Sequence, residues 1–200
     1  RTAAKADEYV RIRSGTDIPF LFGVLYHVFK NGWEDKQYIN DRVFGMEKVR
    51  EDVLAKWTPD KVEEVSGVPE AQMAKVAEMF AKNRPSNIVW CMGQKQHSIG
   101  NAMVRASCIL QLALGNIGKS GGGANIFRGH DNVQGATDVG PNPDSLPGYY
   151  GIADGSWKYW AGVWGVDYEW IKKQYAEGMM TKPGITVSRW IDGVMYPNDT

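Results

Sequence analysis

The sequence predicts an α/β fold, and two neighbouring segments carry that prediction. Residues 86–92 are a mainly apolar run between Pro85 and Gly93, which is typical of a fully buried strand. Residues 99–114 are almost continuously apolar over a helical length, which predicts a helix covered on most sides. A strand, a loop and a buried helix in that order are the units of layered α/β domains.

Upstream of this pair, the spacing of apolar residues predicts one short strand and four helices. Weak alternation favours the strand at residues 10–13, and the turn that follows supplies N-cap residues for a first helix ending near Gly32. The other helices are predicted over residues 46–57, from Thr58 and from Val68.

Regular periodicity disappears for about 35 residues after Gly115, which is unusually long for a loop inside a compact domain. Ten of the 23 glycines lie between Gly115 and Gly151. Long irregular segments of this kind are usually functional. The sequence therefore directs the search for a site to this region.

Composition excludes three classes of protein. Lys plus Arg equals Asp plus Glu at 23 each, so the chain lacks the basic excess of a protein that binds nucleic acid by bulk charge. No apolar run approaches the roughly 20 residues that span a bilayer. Two cysteines cannot build a disulfide scaffold. Because neither an initiator Met nor a signal peptide is present, we expect an interior portion of a longer protein.

Negative charge is missing from one long stretch of the chain. Residues 79–130 contain no Asp or Glu, although they carry six cations. One interpretation is a clefted anion that these cations surround. The other is that each cation pairs with a carboxylate distant in sequence. The six are Lys82, Arg84, Lys95, Arg105, Lys119 and Arg128.

Two familiar site motifs are present only in part. Residues 118–120 end like a phosphate-binding P-loop, but an apolar helix precedes them and three glycines follow, so the strand–loop–helix context is missing. The candidate metal ligands fit no ligand-spacing rule, and His27 lies beside an apolar helix face, which favours a core role. Those candidates are Cys91, His97, Cys108 and His130.

Residues 121–138 are the strongest candidate for a binding site. Glycines let the backbone approach a ligand closely, and among them stand one guanidinium, one imidazole, two carboxylates and three amides. Such a set can hold an anion and hydrogen-bond a heterocycle. A polar surface loop would not need the interleaved apolar Ile126, Phe127 and Val133.

Four segments together resemble a known family. Residues 125–138 (NIFRGHDNVQGATD) and their continuation through residue 150 resemble the signature loop of molybdenum- or tungsten-dependent formate dehydrogenases. Residues 13–17 (RSGTD) and 90–97 (WCMGQKQH) are similar to further family segments in the expected order. The similarity covers essentially all 200 residues and is greatest for the catalytic subunit of the respiratory, membrane-associated branch.

The resemblance implies a fold and a division into domains. Residues 1–130 would form most of a dinucleotide-binding-like α/β domain with three layers, a parallel sheet flanked by helices. Residues 131–200 would carry the active-site loop and begin an adjoining α/β domain. The aromatic stretch at residues 157–175 is a candidate sugar platform or partner surface, but we favour core or interdomain packing.

The resemblance also implies a cofactor and catalytic residues. The cofactor would be bis-molybdopterin guanine dinucleotide with Mo or W, whose phosphates suit the carboxylate-free stretch. Arg128 would orient formate, because a guanidinium fork can hold both carboxylate oxygens. His130 would line the same pocket.

Further positions are implied to contact the cofactor. Met92, Gly93 and Gln96 would touch the pterin at the end of a strand, where α/β sheets bind ligands. Asp17 would contact a guanosine, with Gly15 allowing close approach. Polar residues of the signature loop would complete the lining: Asn132, Gln134 and Asp138.

The implied reaction is the oxidation of formate to carbon dioxide. The metal-ligating Cys or selenocysteine and the cysteines of a [4Fe-4S] cluster have no match here, so we expect them upstream of Arg1 and the fragment alone to be inactive. Implied partners are the rest of the large subunit, an iron–sulfur subunit and a membrane cytochrome subunit, at the periplasmic side of the inner membrane. A molybdopterin oxidoreductase with another substrate and a non-catalytic fragment remain alternatives.

Overall fold

A computed structural model describes residues 1–140, 145–174 and 190–196. The chain divides into two compact units, residues 1–129 and 130–200, which we describe separately. The fold class is α/β, as predicted: a parallel pair of strands with flanking helices in the first unit. The assignment of residues 1–130 and 131–200 to two family domains stays a prediction.

Five helices precede the first strand of unit 1. The helix predicted to end near Gly32 forms and ends at Lys30, where Asn31 N–H donates to the carbonyl of His27. The predicted helices at residues 46–57, from Thr58 and from Val68 also form, the third of them beginning at Glu70. The strand predicted at residues 10–13 does not form. The five helices are α1 (Asp17–Lys30), α2 (Lys36–Arg42), α3 (Met46–Lys56), α4 (Pro59–Ser66) and α5 (Glu70–Lys82).

The core of unit 1 is built around α1, which contacts α3, α4 and α5. Its apolar face buries Leu25, Val28 and Phe29, as the i, i+3, i+4 spacing predicts. Gly23 allows α4 and α5 to pack closely against α1, because a Cβ at this position would lie 2.8 Å from Val62 Cγ1 and 2.8 Å from Met73 Sδ. Helix α1 is therefore the central helix of the packed core in unit 1.

A two-stranded parallel sheet completes unit 1. Strand β1 (Asn87–Trp90) pairs with β2 (Gly123–Ile126) in the register Asn87 to Gly123 and Trp90 to Ile126. The connection contains a short helix, α6 (Met92–Lys95), and the long helix α7 (Gly100–Ala113), which contacts both strands and α1. The predicted helix at residues 99–114 is therefore confirmed.

The prediction that residues 86–92 form a fully buried strand is wrong. The strand is only four residues long, and Val89 is 48% exposed, whereas Trp90 is buried. On β2, Ile126 is 44% exposed. Helix α7 contacts both strands, while Val89 and Ile126 each keep nearly half of their surface exposed.

Unit 2 is smaller and rich in aromatic residues. Leu146 of its first strand and residues of its two central helices, Trp157, Ala161 and Ile171, are buried together. The elements are α8 (Val133–Val139), the antiparallel strands β3 (Ser145–Leu146) and β4 (Tyr150–Gly151), α9 (Asp154–Trp164), α10 (Tyr168–Lys173) and α11 (Trp190–Met195).

The aromatic stretch at residues 157–175 packs only in part. Trp157 is buried and Trp160 is half-buried against the cluster, whereas Tyr159, Trp164 and Trp170 are exposed. Tyr159 stacks on Tyr150 with ring centroids 5.1 Å apart. Residue 175 lies outside the described residues. Core packing therefore accounts for only some members of this stretch.

Candidate functional site

The two parallel strands end at the same edge of the sheet in unit 1. Cys91 and Met92 follow β1, and Phe127 and Arg128 follow β2. The strand ladder continues one step past β2, because Phe127 N–H donates to the carbonyl of Trp90 at 3.0 Å. Ligands of open α/β sheets bind beyond the carboxyl ends of the strands, so this edge is the candidate site.

The segment after β1 is held tightly against α7. The N–H of Gln96 donates to the carbonyl of Met92 at 2.8 Å, which closes α6. The next helix starts so close that a Cβ on Gly100 would lie 1.7 Å from the carbonyl oxygen of Lys95, so only glycine fits there. Of the three predicted pterin contacts, Met92 is half-buried, and Gly93 and Gln96 are exposed.

Arg128 stands at the end of β2 with a free side chain. It is half-buried, and its guanidinium makes no hydrogen bond or ion pair with any described residue. Its backbone lies in the left-handed region at φ +66°, which is uncommon for a residue with a side chain. A conformation of this kind costs energy, and residues strained in this way cluster at functional sites.

The six cations of the carboxylate-free stretch have different partners. Lys119 reaches Asp35 at 3.5 Å, Lys82 pairs with Glu78 one turn earlier on the same helix, and Arg84 donates to two carbonyl oxygens. Pairing with a carboxylate distant in sequence therefore accounts for Lys119 alone. Three cations have neither an ion pair nor a side-chain hydrogen bond among the described residues: Lys95, Arg105 and Arg128.

The predicted guanosine contacts lie at the start of α1. Gly15 has φ +80° and open space around the position of a Cβ, so the backbone is accessible there. The turn is fixed because Thr16 Oγ1 donates to the carbonyl of Arg13 at 2.6 Å and Arg13 donates to carbonyls of α4. Asp17 is half-buried and has no partner among the described residues.

The other predicted site residues belong to unit 2. His130 begins the unit and is exposed, and Asn132 precedes α8 with φ +50°. The Asn132 side chain lies over the first turn of this helix, where a Cβ on Gly135 would be 2.5 Å from its Oδ1. Gln134 and Asp138 are exposed on the same helix.

The structure thus groups the predicted residues in three places. Met92, Gly93, Gln96 and Arg128 lie in the segments that follow β1 and β2 in unit 1, and Gly15 and Asp17 lie at the start of α1. His130 and the polar residues of α8 form the third group, in unit 2: Asn132, Gln134 and Asp138.

The sequence analysis did not identify Gln111, whose side chain links helix α7 to both strands by hydrogen bonds. Gln111 of α7 is fully buried and donates to the carbonyls of Ser86, at 2.9 Å, and Gly123. Asn116 adds bonds to Ser86 and to Gln111. The available signal was a glutamine inside an otherwise apolar helical run, which is costly unless its amide is satisfied.

The described residues contain no cluster of three or more candidate metal ligands. Both cysteines are free thiols, and burial raises the pKa of the Cys108 thiol. His27 is buried on α1, as expected for a core residue. Lys119 of the G-K-S tripeptide lies beside Asp35 and over the ring of Tyr38. Its ammonium group therefore interacts with residues of α2 and of the turn before it.

Comparison with known proteins identifies the family. Residues 1–186 match the family described as Molybdopterin oxidoreductase. The chain belongs to this family. It is 35% identical over 191 residues to the alpha subunit of an F420-dependent formate dehydrogenase of Methanocaldococcus jannaschii, covering 96% of this chain and 26% of that protein.

Two further similarities support the assignment. The major subunit of the nitrate-inducible formate dehydrogenase of Escherichia coli is 32% identical, covering 74% of this chain and 20% of that protein. The structure of acetylene hydratase from Pelobacter acetylenicus is similar at TM-score 0.56 and 28% identity, covering 59% of this chain and 16% of that one. The chain therefore spans about a quarter or less of these relatives.

The expected location at the periplasmic side of the inner membrane is wrong. The Methanocaldococcus relative, which matches almost the whole chain, is named as an F420-dependent enzyme, whereas the nitrate-inducible relative matches less of it. No helix among the described residues is long and apolar enough to cross a bilayer. The membrane cytochrome partner expected with that location loses its support.

The family implies a molybdopterin cofactor with Mo or W, and the sheet edge fits such a group. Lys95 and Arg128 follow the two strands as half-buried cations that no described carboxylate neutralises, as an anionic cofactor requires, whereas Arg105 is exposed on α7. Gly93 is exposed directly after β1, where a ligand can approach the backbone. Both features belong to the elements that follow the parallel strands.

Proposed function

We propose that the longer protein containing this chain oxidises formate to carbon dioxide, with release of two electrons and one proton. The observation that carries the proposal is the unpaired, half-buried guanidinium of Arg128 at the carboxyl edge of the sheet. A buried cation without a partner is unfavourable unless an anion completes it. The names of the formate dehydrogenase relatives support formate as that anion.

Arg128 binds the substrate through its planar fork of N–H donors. Two parallel hydrogen bonds to the two formate oxygens fix the plane of the anion and leave its C–H bond pointing away from the guanidinium. Orientation of this kind lowers the barrier because the reacting bond is already aligned. His130, two residues further along the chain, contacts the substrate or cofactor.

The cofactor is bis-molybdopterin guanine dinucleotide, and it supplies the two-electron acceptor for formate when bound. Met92, Gly93 and Gln96 contact its pterin, and Lys95 and Arg105 neutralise phosphate. Gly15 and Asp17 contact a guanosine. Asn132, Gln134 and Asp138 of the signature loop are further proposed cofactor contacts.

A [4Fe-4S] cluster held by sequence outside this chain, together with an iron–sulfur partner subunit, would accept the electrons. The rest of the large subunit supplies the cysteine or selenocysteine that binds the metal. The described residues hold no group of three or more candidate metal ligands. This assignment is tested by metal and iron analysis of the full-length protein.

The decisive experiment replaces Arg128 by Ala in the full-length holoenzyme. We expect kcat/KM for formate to fall by at least about tenfold, because the charged hydrogen bonds that orient the anion are lost. Metal content per protein should stay the same. The matched control is Arg42→Ala, which removes an exposed arginine of α2 and should leave the kinetics unchanged. Unchanged kinetics in Arg128→Ala would remove this residue from the site.

A second candidate is a molybdopterin enzyme acting on another substrate. The structural similarity to acetylene hydratase favours keeping it, because that relative carries a different activity in its name. An uncharged substrate has no carboxylate for Arg128 to hold. Formate oxidation absent from the wild-type holoenzyme, together with turnover of an uncharged substrate, would select this candidate.

A further inference from the structure

The chain turns sharply directly after β2, in residues 127–129. Gly129 N–H donates to the carbonyl of Phe127 at 2.9 Å, so Arg128 is the central residue of a three-residue turn. Turns of this kind with a positive φ at the centre are strained. Neighbouring groups must therefore hold Arg128, at φ +66°, in place.

Met92 is the side chain that packs against this turn. A Cβ on Gly129 would lie 2.9 Å from Met92 Cε and 3.4 Å from its Sδ. Gly129 itself has φ +122°, which L side chains rarely adopt. The thioether thus occupies the space that any side chain at position 129 would need.

The backbone of Met92 lies in a closely packed segment. It begins α6 immediately after β1, and α6 contacts α7, the helix that packs against the sheet. The close approach of Gly100 to Lys95 holds the two helices together. The contact between Met92 and Gly129 therefore joins the segments that follow β1 and β2.

We propose that Met92 and Gly129 are positioning residues for Arg128, an inference that rests on the proposed role of Arg128 in formate binding. Met92 limits the conformations open to the turn, and Gly129 keeps the space that Met92 fills. Together they set the direction in which the guanidinium leaves the end of β2. Neither residue needs to touch formate to change its affinity.

The test uses the full-length holoenzyme and a double-mutant cycle between positions 92 and 129. The variants are Gly129→Ala, Met92→Ala, their combination and Met92→Leu, which keeps most of the apolar volume. The KM for formate and kcat are measured per bound metal, so that any loss of cofactor is removed from the comparison.

Gly129→Ala should raise the KM for formate by about tenfold or more, because a side chain is strained at φ +122° and its methyl group competes with Met92 for space. In the Met92→Ala background the factor by which Gly129→Ala raises KM should be at least about threefold smaller, since the competition for space is gone and only the backbone strain remains. Met92→Leu should restore most of the affinity lost in Met92→Ala. Independent effects at the two positions, or an unchanged KM in Gly129→Ala, would overturn the inference.

The Arg128→Ala enzyme separates this inference from the proposed function. If Arg128→Ala leaves the KM for formate unchanged, the role of Arg128 itself is wrong. If Arg128→Ala raises KM while the coupling between positions 92 and 129 is absent, only the positioning inference is wrong. Binding of nitrate, a planar monovalent anion, should follow the same order among the variants as the KM for formate.

Discussion

At the scale of single residues, His27 makes the stability of the folded protein depend on pH. It is buried on α1, and its Nε2 has no hydrogen-bond partner among the described residues. Burial lowers the pKa of this imidazole below its ordinary value, and the negative charge of Glu70 opposes the shift only in part. The folded protein therefore holds His27 in its neutral form at neutral pH.

The consequence is a loss of stability on mild acidification. Above the ordinary histidine pKa of about 6.5 the imidazole is neutral in both states, whereas below it the unfolded chain binds the proton more readily. The thermal midpoint of the full-length protein should decrease as the pH is lowered from about 7 to about 5. His27→Gln should reduce this fall, and His97→Gln, at an exposed histidine, should not. Equal slopes in all three proteins would contradict the assignment.

The ion pair between Glu34 and Arg50 gives a second prediction at this scale. The Glu34 side chain is only 4% exposed, whereas Arg50 is partly exposed and also donates to the carbonyl of Phe29 at 3.2 Å. Arg50→Met leaves a buried carboxylate without its partner, so we expect destabilisation by about 2–4 kcal/mol.

The paired replacement of Glu34 and Arg50 by Met supplies the control. It removes both charges, and apolar replacement of a whole buried pair is often tolerated. Hydrogen exchange of α1 and α3 in the full-length protein measures the effect locally. Arg50→Met should show the faster exchange, and a double variant that exchanges at least as fast would contradict the prediction.

At the scale of secondary-structure elements, the amide of Gln111 links helix α7 to both strands. It donates to a carbonyl beside the start of β1 and to one at the start of β2. Gln111→Leu keeps the volume but leaves these carbonyls and Asn116 without their partner. Each unsatisfied buried polar group costs about 1–3 kcal/mol.

We therefore expect Gln111→Leu to destabilise the sheet by about 2–4 kcal/mol. Peptides containing β1 and β2 in the full-length protein should exchange their amide hydrogens faster than in the wild type. Gln37→Leu makes the same chemical change at an exposed position of α2 and should leave their exchange unchanged. The same protection in the Gln111 and Gln37 variants would show that the amide does not hold the strands.

The elements that were predictable are those whose signal is local. Helix α7 was predicted at residues 99–114 and forms at Gly100–Ala113, because a long apolar run has few alternatives to a buried helix. The burial of β1 was overestimated, because exposure of Val89 depends on what covers the sheet. Helix α8 was missed, since it is short and follows Asn132, whose positive φ has no clear sequence signal.

At the scale of the whole molecule, the residue types of the candidate site can be read from the sequence, but the contacts that position them cannot. The carboxylate-free stretch and the glycine-rich loop both contain Arg128, whose role stays a prediction. The contact of Met92 with Gly129 could not be predicted, because it joins residues 37 positions apart through a side-chain conformation. The roles of the other candidate residues stay predictions, and the cofactor provides their common test.

Loss of the cofactor should affect the chain unevenly. A ligand that binds only the folded state protects the segments it contacts. Full-length protein prepared without molybdopterin should therefore exchange amide hydrogens faster in residues 91–96 and 127–138 than the holoenzyme. Residues 46–66, which form α3 and α4, contain none of the proposed contacts and serve as the internal control. If residues 91–96 and 127–138 exchange at the same rate with and without the cofactor, as the control residues 46–66 should, the proposed contacts of these segments with the cofactor are wrong.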